Sequence, residues 1–380
     1  MKICTITCHR VYNYGASLQA YALQHYLETL GSNVEIIDYN PWFHNNRYNP
    51  FWVSPKAKGV RIKFYKIIPF MKYIIQPLSC LKNGMFATWG RKGAFDRFEK
   101  EYYHLTKFKY DSVGELRKNP PVADVYIAGS DQIWNIRYEN GKDPAYYLDF
   151  GNASIKRISY AASFATDNIE HGYELFVKTQ LEKFYSISVR EKTGLQILEK
   201  LGVKYAEQVL DPVFLLSTDE WIQLTTKAKD YNLKLESYVL VYDFSGNDAT
   251  LVDFVRKYAE KFKLKIVSVN DSSKRNYADL NINDAGPLEF LCLIKNAKCI
   301  VGNSFHATAF SIIFNKEFYT FSLKGHGNSS RMKDLLDELY VKDRLNPEKI
   351  SDVALDYNKI NEKVENSKNV CEKFIKKSLK

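Results

Sequence analysis

The chain has 380 residues, of which 45% are hydrophobic and 26% are charged, so it is long enough for two domains and too apolar to be disordered throughout. Its formal net charge of +10 favours an anionic partner: nucleic acid, an anionic membrane surface or an anionic small substrate. No zinc-finger spacing, basic-region helix or RNA-binding aromatic signature accompanies this charge, so nucleic acid is the weakest of the three.

Six cysteines are scattered through apolar segments, with no C-x-x-C pair and no His/Cys spacing typical of a metal site. They indicate reduced core residues, and we expect neither a metal nor a bound cofactor. Residues 1–7 have the pattern of a strand rather than of a signal peptide, so a cytoplasmic protein is expected.

The first elements in chain order predict a βαβ unit. A strand over residues 1–7 leads through a loop to a helix with a single apolar stripe, and a second strand follows over 34–38. The loop contains a glycine but no G-x-G-x-x-G, so no dinucleotide site is predicted. Four residues of the loop and the start of the helix are candidates for hydrogen bonds with sugar hydroxyls: Asn13, Tyr14, Gly15 and Ser17.

Residues 41–100 interrupt this pattern with many aromatic and basic side chains, which predicts an insertion of loops and amphipathic helix. Two interpretations stay open: a solvated flap, or a patch that touches an anionic membrane or a lipid-linked substrate. The longest apolar stretch, residues 67–81, contains Lys72 and two prolines, so it is not expected to span a bilayer.

Strands are predicted again after the insertion, at 124–128, 157–161, 185–189 and 204–210. The first of them is followed by a polar cluster, Ser130, Asp131 and Gln132, that is suited to sugar hydroxyls. Trp134 comes next and is predicted to stack on a pyranose face.

Arg190 follows the strand over 185–189 and therefore lies at a carboxyl edge of the sheet. Its guanidinium suits bidentate binding of a carboxylate or phosphate, and the alternative is a salt bridge with Glu191 or another neighbour. Asp211-Pro212 after the last of these strands is typical of a hinge between domains.

The second half repeats the β/α alternation, with strands predicted at 238–242, 264–269, 298–301 and 317–321. Two α/β halves imply a cleft between an N-terminal domain over 1–210, predicted to hold the acceptor, and a C-terminal domain over 211–355, predicted to hold the donor. Residues 356–380 predict a helix packed across the hinge.

The most informative motif surrounds His306. A buried strand ends at Gly302, Ser304 is a natural N-cap, and His306 falls in the first turn of the next helix, where open α/β sheets bind ligands. Free backbone N–H groups there favour an anion, and a histidine can transfer a proton near neutral pH. Lys324 and Arg331 follow the next strand and would neutralise a phosphate; a mobile surface loop is the alternative.

Five segments, in this order and spacing, resemble the polysaccharide pyruvyl transferase family: Asn13–Leu23 (NYGASLQAYAL), Gly129–Asn135 (GSDQIWN), Ser188–Glu191 (SVRE), Leu210–Pro212 (LDP) and Asn303–Ala309 (NSFHATA). The resemblance covers residues 1–345, although 41–100 contribute little to it. It implies two Rossmann-like domains facing a cleft, similar to GT-B glycosyltransferases.

The resemblance also implies a reaction and its residues. The donor would be phosphoenolpyruvate, and the acceptor a sugar diol on a surface glycan or its lipid-linked precursor. His306 matches the catalytic histidine, and Arg190 and Lys324 match donor-binding positions. Many members have arginine where this chain has Ser304, so Arg331 is expected to replace that cation.

Two other functions stay open on the same scaffold. One is a nucleotide-sugar glycosyltransferase, which the absence of an E-x7-E pair between residues 211 and 340 disfavours for retaining enzymes. The other is a non-catalytic sugar-binding protein of a glycan assembly complex. The expected location is cytoplasmic, with contact at the inner face of the membrane if residues 41–100 bind it.

Overall fold

A computed structural model describes residues 1–44, 89–231, 233, 237–244, 248–271, 274–323 and 329–380. Most of the insertion predicted over 41–100 lies outside the described residues, and so does the membrane-facing patch predicted there. Lys324 also lies outside them.

The first domain is built on parallel strands: β1 (Lys2–Ile6), β2 (Asn33–Tyr39), β3 (Leu105–Tyr110), β4 (Val125–Ala128), β5 (Lys156–Ser159), β6 (Ile187–Val189) and β7 (Ala206–Gln208). The first five form one sheet in the order β3-β2-β1-β4-β5. The pair β6–β7 continues this sheet beyond β5, through parallel bridges from Ile158 to Ser186 and from Ala162 to Val189.

The second domain is built on a second parallel sheet, with strands β8 (Tyr238–Tyr242), β9 (Lys265–Val269), β10 (Leu280–Ile282), β11 (Cys299–Gly302) and β12 (Glu317–Thr320). Their order is β10-β9-β8-β11-β12. The central strands β8 and β11 are buried along their whole length, as their continuous apolar runs predict for a sheet covered on both faces. The architecture of two Rossmann-like α/β domains is thus as predicted.

Helices connect the strands on both faces of the sheets. They are α1 (Tyr14–Thr29), α2 (Trp89–Tyr102), α3 (Val113–Lys118), α4 (Glu174–Leu181), α5 (Lys192–Lys200), α6 (Thr218–Thr225), α7 (Ala249–Phe262), α8 (Pro287–Asn296), α9 (Phe305–Ile313), α10 (Ser329–Glu338) and α11 (Tyr357–Leu379). A 3-10 turn over Pro212–Phe214 begins the connection between the two domains.

The two domains pack together through the first turn of α1. The Tyr14 ring stacks on Phe290 of α8, with ring centroids 4.3 Å apart and planes 3° from parallel, and its hydroxyl donates to the Ala285 carbonyl at 3.0 Å. One hydrophobic cluster accordingly contains residues of both sheets. This packing brings the carboxyl ends of the two central strand pairs towards each other.

The C-terminal helix α11 contacts both domains. Near its start, the Tyr357 hydroxyl donates to the Lys316 carbonyl of the second domain. Further along, Cys371 Sγ accepts from the backbone N–H of Leu210 at 3.2 Å, and Lys377 lies 3.6 Å from Glu207 of β7. Within the described residues, no helix combines the length and apolar character needed to cross a bilayer.

Candidate active site

Each five-stranded sheet reverses its strand order at one point, and both points carry polar residues singled out in the sequence. In the first sheet the reversal lies between β1 and β4, and Ser130 and Asp131 follow β4. In the second it lies between β8 and β11, and Asn303 and Ser304 follow β11. Ligands of open α/β sheets bind outside the carboxyl ends of the strands at such a point. Asp131 also has a left-handed φ of 78°, a strained conformation typical of functional loops.

His306 lies in the first turn of α9, as predicted. The Ser304 side chain accepts from the backbone N–H of Ala307 at 3.4 Å, which makes it the N-cap and fixes where the helix begins. The His306 side chain is 8% exposed, and its Nε2 faces Asp211 Oδ2 at 3.5 Å.

Gly15 of the first domain packs directly against the His306 ring. A Cβ added at Gly15 would lie 1.9 Å from His306 Nδ1 and 2.3 Å from its Cγ, so no side chain fits. Because Gly15 has no side chain, α1 can approach Nδ1 this closely without displacing the imidazole. Because Gly15 and His306 belong to different domains, the site is assembled only when the domains are packed together.

Asp211 is the buried carboxylate of the site and touches His306 from the other side. Its Oδ2 accepts from Arg190 Nη1 at 2.5 Å and from Ser130 Oγ at 2.9 Å, while its Oδ1 accepts from the Val213 backbone N–H at 3.1 Å. Burial raises the pKa of this carboxyl, but the charges of His306 and Arg190 outweigh burial and lower the pKa below its usual range. At neutral pH an ionised Asp211 therefore faces Nε2 of His306 across 3.5 Å.

Two buried arginines, Arg190 and Arg331, lie against the ring of Phe305. Their guanidinium carbons are 4.6 Å (Arg190) and 5.8 Å (Arg331) from the centre of the Phe305 ring, and Asp131 Oδ1 lies 3.9 Å from both side chains. Among the described residues, Arg190 Nε and Nη2 have no hydrogen-bond acceptor, and this pair of donors has the geometry that suits a carboxylate or phosphate. Burial, followed by the charge of Arg190, lowers the pKa of Arg331 to about 10. The nearby Asp131 carboxylate partly offsets this effect.

The chain that forms this site matches the sequence profile of a known protein family. The family profile described as "Polysaccharide pyruvyl transferase" matches residues 13–325. The chain belongs to the polysaccharide pyruvyl transferase family. A search of curated proteins gave no match.

Solved structures show the same fold at low identity. A putative UDP-N-acetylglucosamine 2-epimerase from Listeria monocytogenes is 8% identical, with a TM-score of 0.53 over 100% of this chain and 90% of that one. The S. aureus MnaA–UDP co-structure is 11% identical, with a TM-score of 0.51 over 96% and 87%. Arabidopsis thaliana UGT89C1 complexed with UDP-L-rhamnose is 11% identical, with a TM-score of 0.50 over 100% and 97%. These GT-B glycosyltransferases and epimerases support the two-domain fold.

Of the donor-binding residues predicted for this family member, the structure brings Arg190, Ser304 and Arg331 around His306. Arg190 does form a salt bridge, but with Asp211 rather than with Glu191. Glu191 Oε1 instead accepts from Ser163 Oγ at 3.0 Å and from two backbone N–H groups.

Two of the predicted acceptor residues are packing residues instead. Trp134 is 0% exposed, with its ring parallel to Tyr147 and its Nε1 donating to the Tyr146 carbonyl at 3.1 Å, so it has no face for a pyranose. Tyr14 is likewise 0% exposed and holds the domains together. Neither packing could be predicted from the sequence, because it depends on residues that only the fold brings next to them.

The other predicted acceptor residues have local or supporting contacts. Asn13 is the N-cap of α1 and accepts from the Ala16 N–H at 3.2 Å, while Gln132 accepts from Asn135 Nδ2 at 3.0 Å. The Ser17 carbonyl accepts from the Tyr103 hydroxyl at 2.9 Å. Ser130 donates to Asp211, Asp131 faces the two arginines and Gly15 packs against His306, so these three contact the residues of the site.

Replacing Asp211 by asparagine is expected to reduce the free energy of unfolding by about 3 kcal/mol at neutral pH, since it leaves Arg190 without its buried countercharge. The pKa of Asp211 is lower in the folded chain than the unfolded value of about 3.9. The ionised Asp211 therefore stabilises the folded state fully above the unfolded pKa, and this stabilisation is lost as the pH falls through the folded pKa. Urea denaturation of wild type and Asp211→Asn at about pH 6 and about pH 3 should show a difference that shrinks in acid. Asp253→Asn, at an exposed residue of α7, is the control, and a difference independent of pH would contradict this account.

Proposed function

We propose that the protein transfers the enolpyruvyl group of phosphoenolpyruvate to a sugar diol and so forms a pyruvate ketal during surface polysaccharide biosynthesis. Phosphoenolpyruvate has two anionic groups and one carbon that must be protonated. The observation that carries the proposal is the matching set in the site: His306 held between Asp211 and Gly15, with Arg190 and Arg331 beside it.

The cations would hold the donor. Arg190 uses Nη1 for Asp211 and presents Nε and Nη2, which match the two oxygens of a carboxylate or phosphate. Arg331, Ser304 and, from the resemblance, Lys324 complete the donor site. No metal is needed in this scheme, because the guanidinium groups supply the charge that stabilises departing phosphate.

The proposed reaction begins with a proton transfer from His306 to C3 of the donor, which turns the methylene into a methyl group and makes C2 an oxocarbenium-like electrophile. One sugar hydroxyl adds to C2 and loses its proton. The C2–O bond to phosphate breaks and inorganic phosphate leaves, and the second hydroxyl then adds to C2 and closes the ketal. The two hydroxyl protons balance the proton taken up by C3 and the one that leaves with phosphate.

His306 is assigned as the general acid. Its ring lies between the Asp211 carboxylate, which faces Nε2, and Gly15, which packs against Nδ1. Once the ring has given its proton to C3, it is free to take the proton of the attacking hydroxyl, so His306 would serve as acid and then as base within one cycle.

Arg190→Lys is expected to raise the KM for phosphoenolpyruvate about tenfold, because a single ammonium cannot replace the side-on pair of donors. The KM for the acceptor should change little. Steady-state kinetics with each substrate varied in turn will show this split. Arg117→Lys, at an exposed arginine of α3, is the control. An unchanged donor KM in Arg190→Lys would remove Arg190 from the donor site.

The acceptor is proposed to be a sugar of a surface-glycan precursor, in the cytoplasm and, where it is lipid-linked, at the inner face of the membrane. The proposal is tested by incubating the protein with phosphoenolpyruvate and candidate lipid-linked oligosaccharides and following inorganic phosphate. Phosphate release that depends on the acceptor supports it. UDP release from UDP-sugars, with no turnover of phosphoenolpyruvate, would favour a glycosyltransferase instead.

A further inference from the structure

A second group of polar and aromatic side chains follows β8 and β9 in the second domain, next to the loop that leads to His306. We call Asp243, Phe244, Asn270 and Arg275 the β8–β9 edge. We propose that the β8–β9 edge binds the sugar ring of the acceptor. This inference rests on the proposed function and gives it a sugar subsite, on the second domain rather than on the first.

The β8–β9 edge is tied directly to the catalytic loop. Gly302 at the end of β11 pairs with Tyr242 at the end of β8, so the residues after them meet. Asn303 Nδ2 donates to Asp243 Oδ1 at 2.6 Å, and its Oδ1 accepts from the Phe244 backbone N–H at 2.9 Å. Asn303 therefore joins this edge to the start of the loop that leads to His306.

Asn270 has hydrogen-bonding capacity that the described residues do not use. It is 4% exposed, and its Nδ2 donates to Ser268 Oγ at 3.3 Å and to Asn281 Oδ1 at 3.2 Å. Its Oδ1 has no donor among the described residues, although a buried amide oxygen normally has one. A sugar hydroxyl can donate the hydrogen bond that this oxygen does not receive from the described residues.

Phe244 provides an apolar surface at the same edge. It is 49% exposed, and its ring lies against Tyr242 with centroids 4.8 Å apart. An exposed aromatic ring beside hydrogen-bonding side chains is what a pyranose needs, since its ring has an apolar face of C–H groups and a rim of hydroxyls.

The β8–β9 edge differs in charge from the proposed donor site. It combines the carboxylate of Asp243 with the guanidinium of Arg275, whose Nη2 donates to the Asp243 carbonyl at 3.4 Å. The proposed donor site instead has two buried arginines, Arg190 and Arg331. A neutral, hydroxylated ring is therefore better suited to the edge, and an anion to the two arginines.

The test uses Phe244→Ala and a closely matched control, Phe262→Ala. Phe262 is 47% exposed and lies against Tyr258 with ring centroids 4.6 Å apart, but it is at the end of α7, before β9 begins. Binding of the methyl β-D-glycosides of glucose, galactose, mannose and N-acetylglucosamine to the full chain is measured by NMR titration without donor. Wild type and Phe262→Ala should bind at least one of them, with a Kd about tenfold higher in Phe244→Ala. Asn270→Ala should weaken the same ligand.

Binding of none of the four glycosides, or equal binding by Phe244→Ala and wild type, would overturn the inference. The titration needs no turnover, so its result does not depend on whether the proposed reaction occurs. If a glycoside binds in a Phe244-dependent way but phosphoenolpyruvate is never consumed, the sugar subsite stands and the proposed reaction is wrong. If phosphate is released and Phe244→Ala leaves the acceptor KM unchanged, the reaction stands and the sugar subsite is wrong.

Discussion

Replacing His306 by alanine is expected to lower kcat about 10²–10⁴-fold, the range that a well-placed general acid contributes. The loss follows from the contacts of the ring, which is held by Asp211 at Nε2 and leaves Nδ1 beside Gly15. The donor KM should change much less, because the arginines that bind the anion are untouched. Single-turnover release of phosphate from phosphoenolpyruvate measures the step directly.

The fold should survive this substitution, since Asp211 keeps its hydrogen bonds from Arg190, Ser130 and the Val213 N–H. Thermal unfolding followed by circular dichroism checks this. His171→Ala, at a fully exposed histidine, is the matched control and should retain wild-type kinetics. Near-normal turnover by His306→Ala would remove the imidazole from the mechanism.

Gly15→Ala is expected to lower kcat about 100-fold, although alanine is the better helix former by about 1 kcal/mol. Its Cβ would lie 1.9 Å from His306 Nδ1, so either the ring or α1 must move. A misplacement of about 1 Å at a catalytic group is enough for a loss of this size. The effect should appear in kcat measured with saturating donor.

Gly93→Ala is the control for Gly15→Ala. Gly93 is also a helical glycine, in α2, and an added Cβ there would meet nothing within 4 Å. It should leave kcat unchanged and keep or slightly raise the melting temperature. If Gly15→Ala retained full activity, the close contact between α1 and His306 would have no catalytic importance.

Much of the fold could be predicted because its signals are local. The strands β8, β9, β11 and β12 are continuous apolar runs, and Ser304 caps α9 through its own neighbour three residues on. Two strands were missed: β3 has only two buried positions among its six residues, and β10 has only three residues. Neither carries the hydrophobic pattern on which such predictions depend.

The site was predictable in part for the same reason. His306 and Arg190 could be predicted to lie at sheet edges because each follows a strand, and the carboxyl ends of parallel strands meet at one edge. Asp211 also follows a predicted strand, so it could have been predicted to lie at the same edge, but the Asp-Pro pair was interpreted as a hinge between domains. Asp211 contacts Ser130 and His306, which lie 81 and 95 positions from it in the sequence. Only the packed domains reveal these contacts.

The central claim is tested most directly by running the reaction in deuterium oxide. The protein is incubated with phosphoenolpyruvate and candidate lipid-linked oligosaccharides, and the products are analysed by mass spectrometry and NMR. The account predicts a sugar that has gained a pyruvate ketal, with a single deuterium in the ketal methyl group, and none of this product with His306→Ala. Wild-type protein that transfers no pyruvyl group to any acceptor, or a ketal that still forms at the normal rate without His306, would contradict it.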